Sequence, residues 1–402
     1  MTPASTGDLL ITNIRPHGGA PTSMLIRAGR IAAFGAPEGQ GVPTFDGQGR
    51  LAIPGLVEAH AHLDKTLYGM AWYVNDVGPR LIDKIDNERA AKRSLGIDAK
   101  RQSARQVALT VGHGTTHIRT HVDVDTDCGV SSIEGVMATR DAHADHVTMQ
   151  LVAFPQSGLL IRPGTLDLLD AAMRLGADAV GGLDPCAIDR DPKGHLDAIF
   201  GLAQKHGKGV DIHLHEPGEM GAFSMELIIE RARALGMRGQ SVVISHAFCL
   251  GMPDVAVVDK LLADLAAAEI AIMTTAPPSR PVPPVMRARA AGVVVGAGSD
   301  GIRDTWGPYG NGDILERAMF VGQRNNLRKD SEVEVALDIC THGGAAMMGL
   351  ADYGLTVGNP ADLVLLDASC PTEAVVARPR DRITFKSGRM TARGGAALFQ
   401  VP

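Results

Sequence analysis

Between residues 51 and 299, eight short runs rich in β-branched and apolar residues alternate with longer amphipathic stretches. These runs predict strands at residues 51–59, 116–124, 148–154, 178–184, 209–215, 241–247, 270–275 and 292–299. The stretches between them carry apolar residues at helical spacing and often end in glycine, as residues 166–176 do. Eight such units favour an α/β fold of the (β/α)8 TIM-like barrel type. A doubly wound open sheet is the competing interpretation, but no glycine-rich phosphate loop follows an early strand.

Both ends of the chain differ from the middle in the spacing of their apolar residues and in their content of glycine and proline. Residues 8–53 and the residues after 350 contain short strand-like runs separated by glycine and proline, with no helical period. We therefore expect a small β-sandwich domain built from both chain ends. The predicted divisions are 1–53 and 351–402 for that domain and 54–350 for the barrel.

Composition excludes several classes of protein. A chain of 402 residues with 45% hydrophobic and 21% charged residues can bury a large core. The net charge of -6 gives no basic stripe for nucleic acid, and no apolar run approaches the roughly 18 residues of a membrane span. Residues 1–8 lack the basic and apolar regions of a signal peptide, and the five cysteines are too scattered for a disulfide framework or zinc knuckle. We expect a cytoplasmic protein with reduced thiols.

Polar side chains follow seven of the eight predicted strands. In a barrel of this type the chemistry lies at the carboxyl ends of the strands, so these side chains are expected to converge. The seven segments are His60 and His62, Thr120 to Asp123, Phe154 to Gln156, Asp184, His213 to Glu216, Ser245 and His246, and Gly298 to Asp300. Surface loops are polar in general, so the repetition rather than any one segment indicates a site.

A metal centre can be assembled from these side chains. His60 and His62 lie two residues apart in an extended segment and so point the same way. Together with one imidazole from the fifth strand and the carboxylate of Asp300, they form a nitrogen and oxygen set that suits Zn or Fe(II). His213 as a core histidine and Asp300 as a helix N-cap are the alternatives. No lysine lies in or directly after the fourth strand, so we expect a single ion.

Several of these segments also carry a family resemblance. The segments are Glu58 to Asp64, Ile118 to Val124, Val152 to Gln156, Asp211 to His213, Ser245 with His246, and Ser299 with Asp300. In them the chain resembles the amidohydrolase superfamily and, within it, the bacterial cytosine deaminase branch, which includes aminohydrolases of triazine rings such as N-isopropylammelide. The resemblance covers essentially residues 50–350, and residues 357–363 resemble the family's return to its β domain.

The resemblance implies a role for each matching residue. The implied ligands of one divalent ion per subunit are His60, His62, His213 and Asp300. Glu216 matches the glutamate that moves protons, His246 the histidine beside the metal-bound water, and Gln156 the glutamine that reads the amide edge of the ring. A homo-oligomer is also implied.

The chain departs from cytosine deaminases at one position of the site. There a second aspartate directly follows the metal aspartate, whereas this chain has Gly301, which we expect to open the pocket to a larger substituent. The segment from Asp64 to Trp72 is more similar to the triazine-acting relatives. Trp72 and Trp306 are candidates to stack on a planar ring, and anchoring their own loops is the alternative.

These observations predict a hydrolase that removes an amino or alkylamino group from a pyrimidine or triazine by attack of metal-bound hydroxide on a ring carbon. Its expected partner is therefore a small heterocyclic substrate. Two other functions stay open. One is the opening of a cyclic amide such as a hydantoin or lactam, and the other is an inactive metal-binding module.

Overall fold

The computed structural model describes residues 8–37 and 41–401 of the chain. Residues 1–7, 38–40 and 402 lie outside the described residues, and with them most of the segment predicted to lack a signal peptide.

The described chain contains strands and helices in the following order. The strands are β1 (Leu9–Pro16), β2 (Thr22–Arg27), β3 (Arg30–Phe34), β4 (Thr44–Pro54), β5 (Leu56–Ala61), β6 (Thr115–Asp123), β7 (Thr148–Phe154), β8 (Ala179–Leu183), β9 (Gly209–His213), β10 (Val242–Ser245), β11 (Ala271–Thr274), β12 (Val295–Ala297), β13 (Leu363–Leu366), β14 (Arg382–Lys386), β15 (Arg389–Arg393) and β16 (Ala396–Ala397). The helices are α1 (Leu81–Leu95), α2 (Ala99–Gly112), α3 (Ser131–Ala142), α4 (Thr165–Leu175), α5 (Pro192–His206), α6 (Gly218–Ala234), α7 (Val255–Ala267), α8 (Val285–Ala290), α9 (Ile314–Arg324), α10 (Asp330–Ile339), α11 (His342–Met347) and α12 (Pro371–Ala377).

The barrel is formed by β5 to β12, which lie side by side in sequence order and pair in parallel. Every residue of β5 and β6 is buried, because helices cover one face of the strands and side chains fill the other. The last strand returns to the first just beyond β12, where Asp300 N donates to His60 O at 2.9 Å. This contact closes the ring, and the predicted (β/α)8 barrel is confirmed.

Seven of the eight predicted strands coincide with barrel strands, and β7 has the predicted bounds. The prediction for the first strand, residues 51–59, is wrong at its beginning, since residues 51–54 belong to β4 of the other sheet. Gly55 separates the two strands. A Cβ at this position would lie 2.2 Å from Thr116 Oγ1, so the chain passes from one sheet to the other where it has no side chain.

The second sheet is mixed and takes its strands from both ends of the chain, as predicted. Its order is β16-β15-β14-β13-β4-β1-β2-β3, with β1 and β4 parallel and the other neighbours antiparallel. Its apolar side chains form a core of their own around Ile11, Ile26, Leu365 and Phe385. The domain boundaries after residues 53 and 350 stay a prediction.

The helices follow the amphipathic stretches. The stretch predicted to end in glycine corresponds to α4, and Gly176 follows it with a φ of 113°, a left-handed conformation that ends the helix. Within the described ranges, no helix is both long enough and apolar enough to cross a bilayer.

We predict that Gly298→Ala disrupts the closure of the barrel. An added Cβ would lie 2.5 Å from His60 N and 2.6 Å from His60 O, and a backbone neighbour cannot rotate away as a side chain would. The free energy of unfolding, measured with a denaturant, is expected to fall by about 2 kcal/mol or more, as for overpacked cores.

Gly201→Ala is the matched control for this substitution. Gly201 lies on the exposed face of α5 with no atom within 4 Å of an added Cβ. Here alanine is expected to stabilise the protein by about 0.5–1 kcal/mol, since glycine is unfavourable inside a helix. Equal stability of the Gly298→Ala variant and the parent protein would contradict our account of the closure.

Candidate metal centre

Four predicted ligands meet at the carboxyl ends of β5, β9 and β12. Asp300 Oδ1 lies 3.2 Å from His62 Nε2 and 3.6 Å from His60 Nε2. His213 Nε2 lies 3.4 Å from His62 Nε2, and one candidate ligand atom from each of the four residues lies within 4.8 Å of the others. A tetrahedral ion with metal–ligand bonds of about 2.0–2.2 Å would separate its ligand atoms by about 3.3–3.6 Å. The four side chains therefore fit one ion.

The pKa values of three of these side chains also suit a metal. Burial lowers the pKa of His62 to about 3, helped by the nearby charge of Lys65. Burial and the neighbouring His60 lower the pKa of His213 well below its usual value. Burial would raise the pKa of Asp300, but its contacts with His60 and His62 outweigh that effect and hold it well below the usual range. Neutral imidazoles and an ionised carboxylate are the forms that bind a divalent ion.

A chain of hydrogen bonds orients His60. Its Nδ1 lies 3.1 Å from Ser245 Oγ, which in turn donates to Asp211 Oδ1 at 2.7 Å. His60 Nε2 is buried and has no hydrogen-bond partner among the described residues. A metal-binding histidine is held in the same way, with one ring nitrogen fixed by the protein and the other left for the ion.

Two other groups of side chains could in principle hold a metal among the described residues. One is His60 with His121 and Asp211, and the other is His62 with Asp64 and Asp123. In both groups a carboxylate already pairs with a buried or nearly buried cation. Arg119 lies 3.2 Å from Asp211 Oδ2, and the ammonium groups of Lys65 and Lys92 contact Asp123. Asp300 forms no ion pair with a lysine or arginine of the described ranges, and this favours the set that contains it.

His246 and His215 extend the ring of imidazoles. The His246 ring centre lies 5.0 Å from those of His60 and His213, and neither of its ring nitrogens has a hydrogen-bond partner among the described residues. Burial lowers the pKa of His246 well below its usual value, so the ring is neutral. His215 Nδ1 lies 2.7 Å from Asp184 Oδ2, a contact that raises the pKa of His215 although burial alone would lower it.

The backbone at three strand ends is left-handed although none of the residues is glycine. The φ angles are 37° at Asp184, 69° at His246 and 67° at Asp300. Such conformations are unfavourable for residues with a Cβ and are concentrated at functional sites. Asp184 and His246 directly follow β8 and β10, and Asp300 lies three residues after the end of β12, so the strained conformation turns each side chain close to a strand end.

Glu216 lies beside β8 rather than in contact with the four ligands. Its Oε1 accepts hydrogen bonds of 2.8 Å from the backbone N–H groups of Cys186 and Ala187, and its Oε2 accepts one from Ser224 Oγ. The side chain is buried, and burial raises its pKa. The predicted proton carrier is thus placed near the site, with its carboxylate held by the loop after β8.

The predicted substrate-binding residues occupy different environments. Gln156 is buried, and its Oε1 accepts a hydrogen bond from Lys65 Nζ. Trp306 packs partly buried against the small core around Phe154, whose ring stacks on His213 at 4.0 Å, and its Nε1 donates to the Glu88 carboxylate. Trp72 is 66% exposed, with the guanidinium of Arg303 over its ring at 5.5 Å. Stacking of either tryptophan on a substrate stays a prediction.

The space expected beside Gly301 is filled. A Cβ at Gly301 would lie 1.8 Å from Asp304 Oδ2, so the side chain of Asp304 occupies the space that a side chain at position 301 would enter. The expectation that glycine opens the pocket here is wrong in this respect. Asp304 is buried, and its Oδ1 accepts from the backbone N–H groups of Trp306 and Gly307.

Sequence reasoning did not assign roles to several residues that support the site. They are Glu58, Lys65, Glu88, His121, Asp184, Asp211, His215, Ser245 and Asp304. Four of the nine, His121, Asp184, His215 and Ser245, lie in the strand-end segments of the sequence, which was the one signal available for them. The other five lie outside those segments.

Known proteins resemble this chain over most of its length. The model of the amidohydrolase family matches residues 85–399. The N-isopropylammelide isopropyl amidohydrolase of Pseudomonas sp. (strain ADP) is 30% identical over 366 residues, which are 89% of each chain. A crystal structure of N-isopropylammelide isopropylaminohydrolase from Burkholderia multivorans ATCC 17616 is 49% identical, with a TM-score of 0.94 over 97% of this chain and 99% of that one. A 5-methylcytosine deaminase from Klebsiella pneumoniae, liganded with 5-fluorocytosine, is 29% identical, with a TM-score of 0.83 over 98% and 99% of the two chains.

We predict that Glu58 makes stability depend on pH. Its Oε1 accepts from Ser299 N at 2.8 Å and from His60 N at 3.2 Å, and burial raises its pKa from 4.5 to about 7. The folded protein therefore binds the proton of Glu58 more tightly than the unfolded chain does, and this difference adds to the free energy of unfolding. The contribution is complete below about pH 4.5 and is lost as the pH rises through about 7. The loss amounts to about 3 kcal/mol.

Glu58→Gln tests this prediction, since the amide keeps an acceptor oxygen and does not titrate. Denaturant unfolding at pH 5 and pH 8, with a chelator present, should show a smaller loss of stability for the variant than for the parent protein. The same pH dependence in both proteins would contradict the prediction.

Proposed function

The chain belongs to the amidohydrolase family, and we propose that it is a metal-dependent aminohydrolase that removes an amino or alkylamino group from a nitrogen heterocycle. The observation that carries this proposal is the meeting of His60, His62, His213 and Asp300 beside the unpartnered ring of His246. The named relatives act on N-isopropylammelide and on 5-methylcytosine. A triazine with an alkylamino group is therefore the first substrate class to test, and a pyrimidine the second.

One divalent ion per subunit, Zn or Fe(II), is part of the proposal. The three imidazoles and the carboxylate would hold it, and when bound it lowers the pKa of water from about 15.7 toward 7 and so supplies the nucleophile. A single ion is favoured because the carboxylates of the other two groups already pair with Arg119, Lys65 and Lys92.

The side chains around the ligands would position the water and move protons. His246 is neutral, and neither of its ring nitrogens has a hydrogen-bond partner in the described part of the chain, so one of them can accept a hydrogen bond from the attacking water. Gln156 would bind the amide edge of the ring. Trp306 and Trp72 are proposed to border the ring, with Gly301 at the edge of the pocket.

Glu216 is proposed to carry a proton to the ring nitrogen and then to the leaving amine. Its raised pKa suits this role, since a general acid works best when its pKa is near the ambient pH. To reach a substrate its carboxylate must exchange at least one of its hydrogen bonds to Cys186, Ala187 and Ser224.

We further propose that the protein works in the cytoplasm as a homo-oligomer that binds no nucleic acid. The five cysteines, all among the described residues, form no disulfide, which fits a reducing compartment. The net charge of -6 supports the absence of a nucleic acid partner. The oligomer rests on the family resemblance alone, and analytical ultracentrifugation measures it directly.

We predict that the protein loaded with Zn or Fe(II) releases isopropylamine or ammonia from alkylamino- and amino-substituted triazines or pyrimidines. Metal analysis should give about one ion per chain, and a chelator should abolish the release. A new carboxylate without free amine would identify ring opening of a cyclic amide instead. Bound metal with no product from any ring would indicate the inactive metal-binding module.

Glu216→Gln is expected to lower kcat by about 10²–10⁴, the range for loss of a general acid or base, while the metal content stays the same. Glu226→Gln is the matched control, because Glu226 lies on α6 and pairs with Lys260 at the surface. It should leave kcat unchanged. An active Glu216→Gln variant would show that another group carries the proton.

We predict that Gly301→Asp alone destabilises the protein, because the new side chain meets Asp304 Oδ2. Overpacking of this kind costs about 1–3 kcal/mol, visible as a lower midpoint of unfolding. The double variant Gly301→Asp with Asp304→Gly removes the clash and should recover stability. If only the double variant converts cytosine, the choice of ring depends on whether the carboxylate stands at position 301 or at position 304. A single variant as stable as the parent protein would contradict the prediction.

A further inference from the structure

Lys65 is a buried cation in direct contact with Gln156. Its side chain is 3% exposed, and its Nζ lies 2.5 Å from Gln156 Oε1. An ammonium group has three donors and no acceptor, so it can face only the oxygen of a carboxamide. The contact therefore assigns the two ends of the Gln156 amide without reference to any ligand.

The other end of the amide is available. No described residue accepts a hydrogen bond from Gln156 Nε2, although the side chain is buried at the end of β7. Nε2 is not among the fully buried side-chain atoms that lack a partner, so it is open to solvent and an acceptor on a ligand can bind there. Gln156 thus offers a donor to whatever occupies the pocket.

We propose that Lys65 is a positioning residue that fixes the Gln156 amide with its N–H group toward the substrate. The site then selects rings that present an exocyclic oxygen to Gln156 over rings that present an exocyclic amino group. This inference rests on the proposed function, since it concerns the ring that the aminohydrolase would bind.

Lys65 is held in place by two carboxylates. Its Nζ lies 3.3 Å from Asp123 Oδ1 and 3.2 Å from Glu88 Oε2, and Glu88 also accepts from Trp306 Nε1. Burial would lower the pKa of Lys65, but Asp123 and Glu88 raise it above the usual range. Lys65 therefore stays an ammonium group and cannot become an acceptor that would let the amide turn over.

A second lysine of the same cluster provides a matched control. Lys92 Nζ contacts the same two acids, Asp123 and Glu88, at 3.1 Å from Glu88 Oε1. No contact between Lys92 and Gln156 occurs in the described structure. Removing Lys92 perturbs the buried charges in the same way, but leaves the donor to Gln156 in place.

The experiment compares two alkylamino-triazines that differ only in carrying oxo or amino groups at the other ring carbons. Equilibrium binding by calorimetry to the metal-loaded protein gives the ratio of their dissociation constants, and kcat and KM are measured for both. The parent protein should bind the oxo ring at least tenfold more tightly. In Lys65→Gln the new amide can donate to or accept from Gln156, so the Gln156 amide can adopt either orientation. The ratio should then come close to one, and the change should appear in KM rather than in kcat.

Lys92→Gln should keep the ratio of the parent protein, and Lys65→Arg, another side chain that only donates, should restore it. Gln156→Glu keeps Lys65 and its two acids, and the carboxylate that it places beside the Lys65 ammonium group offers only acceptors. It should therefore reverse the preference toward the amino ring. This variant also tests the inference if Lys65→Gln does not fold. An unchanged ratio in Lys65→Gln, an equal loss in Lys92→Gln, or no reversal in Gln156→Glu would overturn the inference.

Failure of the proposed function has a different signature. In that case the parent protein releases no amine from either ring, whereas the binding ratio and its response to Lys65 and Gln156 are still measured. An active parent protein with a ratio near one would overturn only the role of Lys65.

Discussion

The hydrogen bond from Asp300 N to His60 O is the contact on which both the fold and the site depend. It joins the strand that ends the barrel to the strand that begins it, and its two residues are also two of the four candidate ligands. Glu58 stabilises the same junction, because its Oε1 accepts hydrogen bonds from Ser299 N and His60 N. The contact that closes the barrel therefore also places two of the candidate ligands beside each other.

Charge balance favours one of the three candidate ligand sets found among the described residues. Asp211 is neutralised by Arg119, and Asp123 by Lys65 and Lys92. Buried charges need such partners, since an unpaired one is strongly unfavourable. Asp300 alone among these three aspartates has only imidazoles as its close partners. A bound cation would complete its neutralisation.

Much of this architecture could be predicted from the sequence because it depends on local patterns, namely the spacing of apolar residues and the polar residues that follow each strand. The periodicity predicted the eight barrel strands, and the strand ends predicted four side chains that the fold brings together. The predicted beginning of the first strand was wrong, because residues 51–57 form one apolar stretch in the sequence. Only the close approach of Thr116 shows why Gly55 divides it.

Long-range contacts between side chains were beyond the reach of the sequence. Lys65 and Gln156 are 91 positions apart, and no periodicity links them. Asp304 fills the space beside Gly301 because the loop after β12 turns back on itself. Nothing in the residue composition of this loop predicts that turn. The sequence therefore predicted the residues of the candidate site more readily than the contacts by which other side chains orient those residues.

The left-handed residues Asp184, His246 and Asp300 set backbone strain against side-chain contacts at three strand ends. The Cβ of each residue costs about 1 kcal/mol relative to glycine in this conformation. The side chain of Asp184 works against this cost by accepting hydrogen bonds from His215 N and Glu216 N, whereas the ring nitrogens of His246 have no partner among the described residues. Glycine at each position would relieve the strain and remove the contacts together, so the stability of the three glycine variants would separate the two effects.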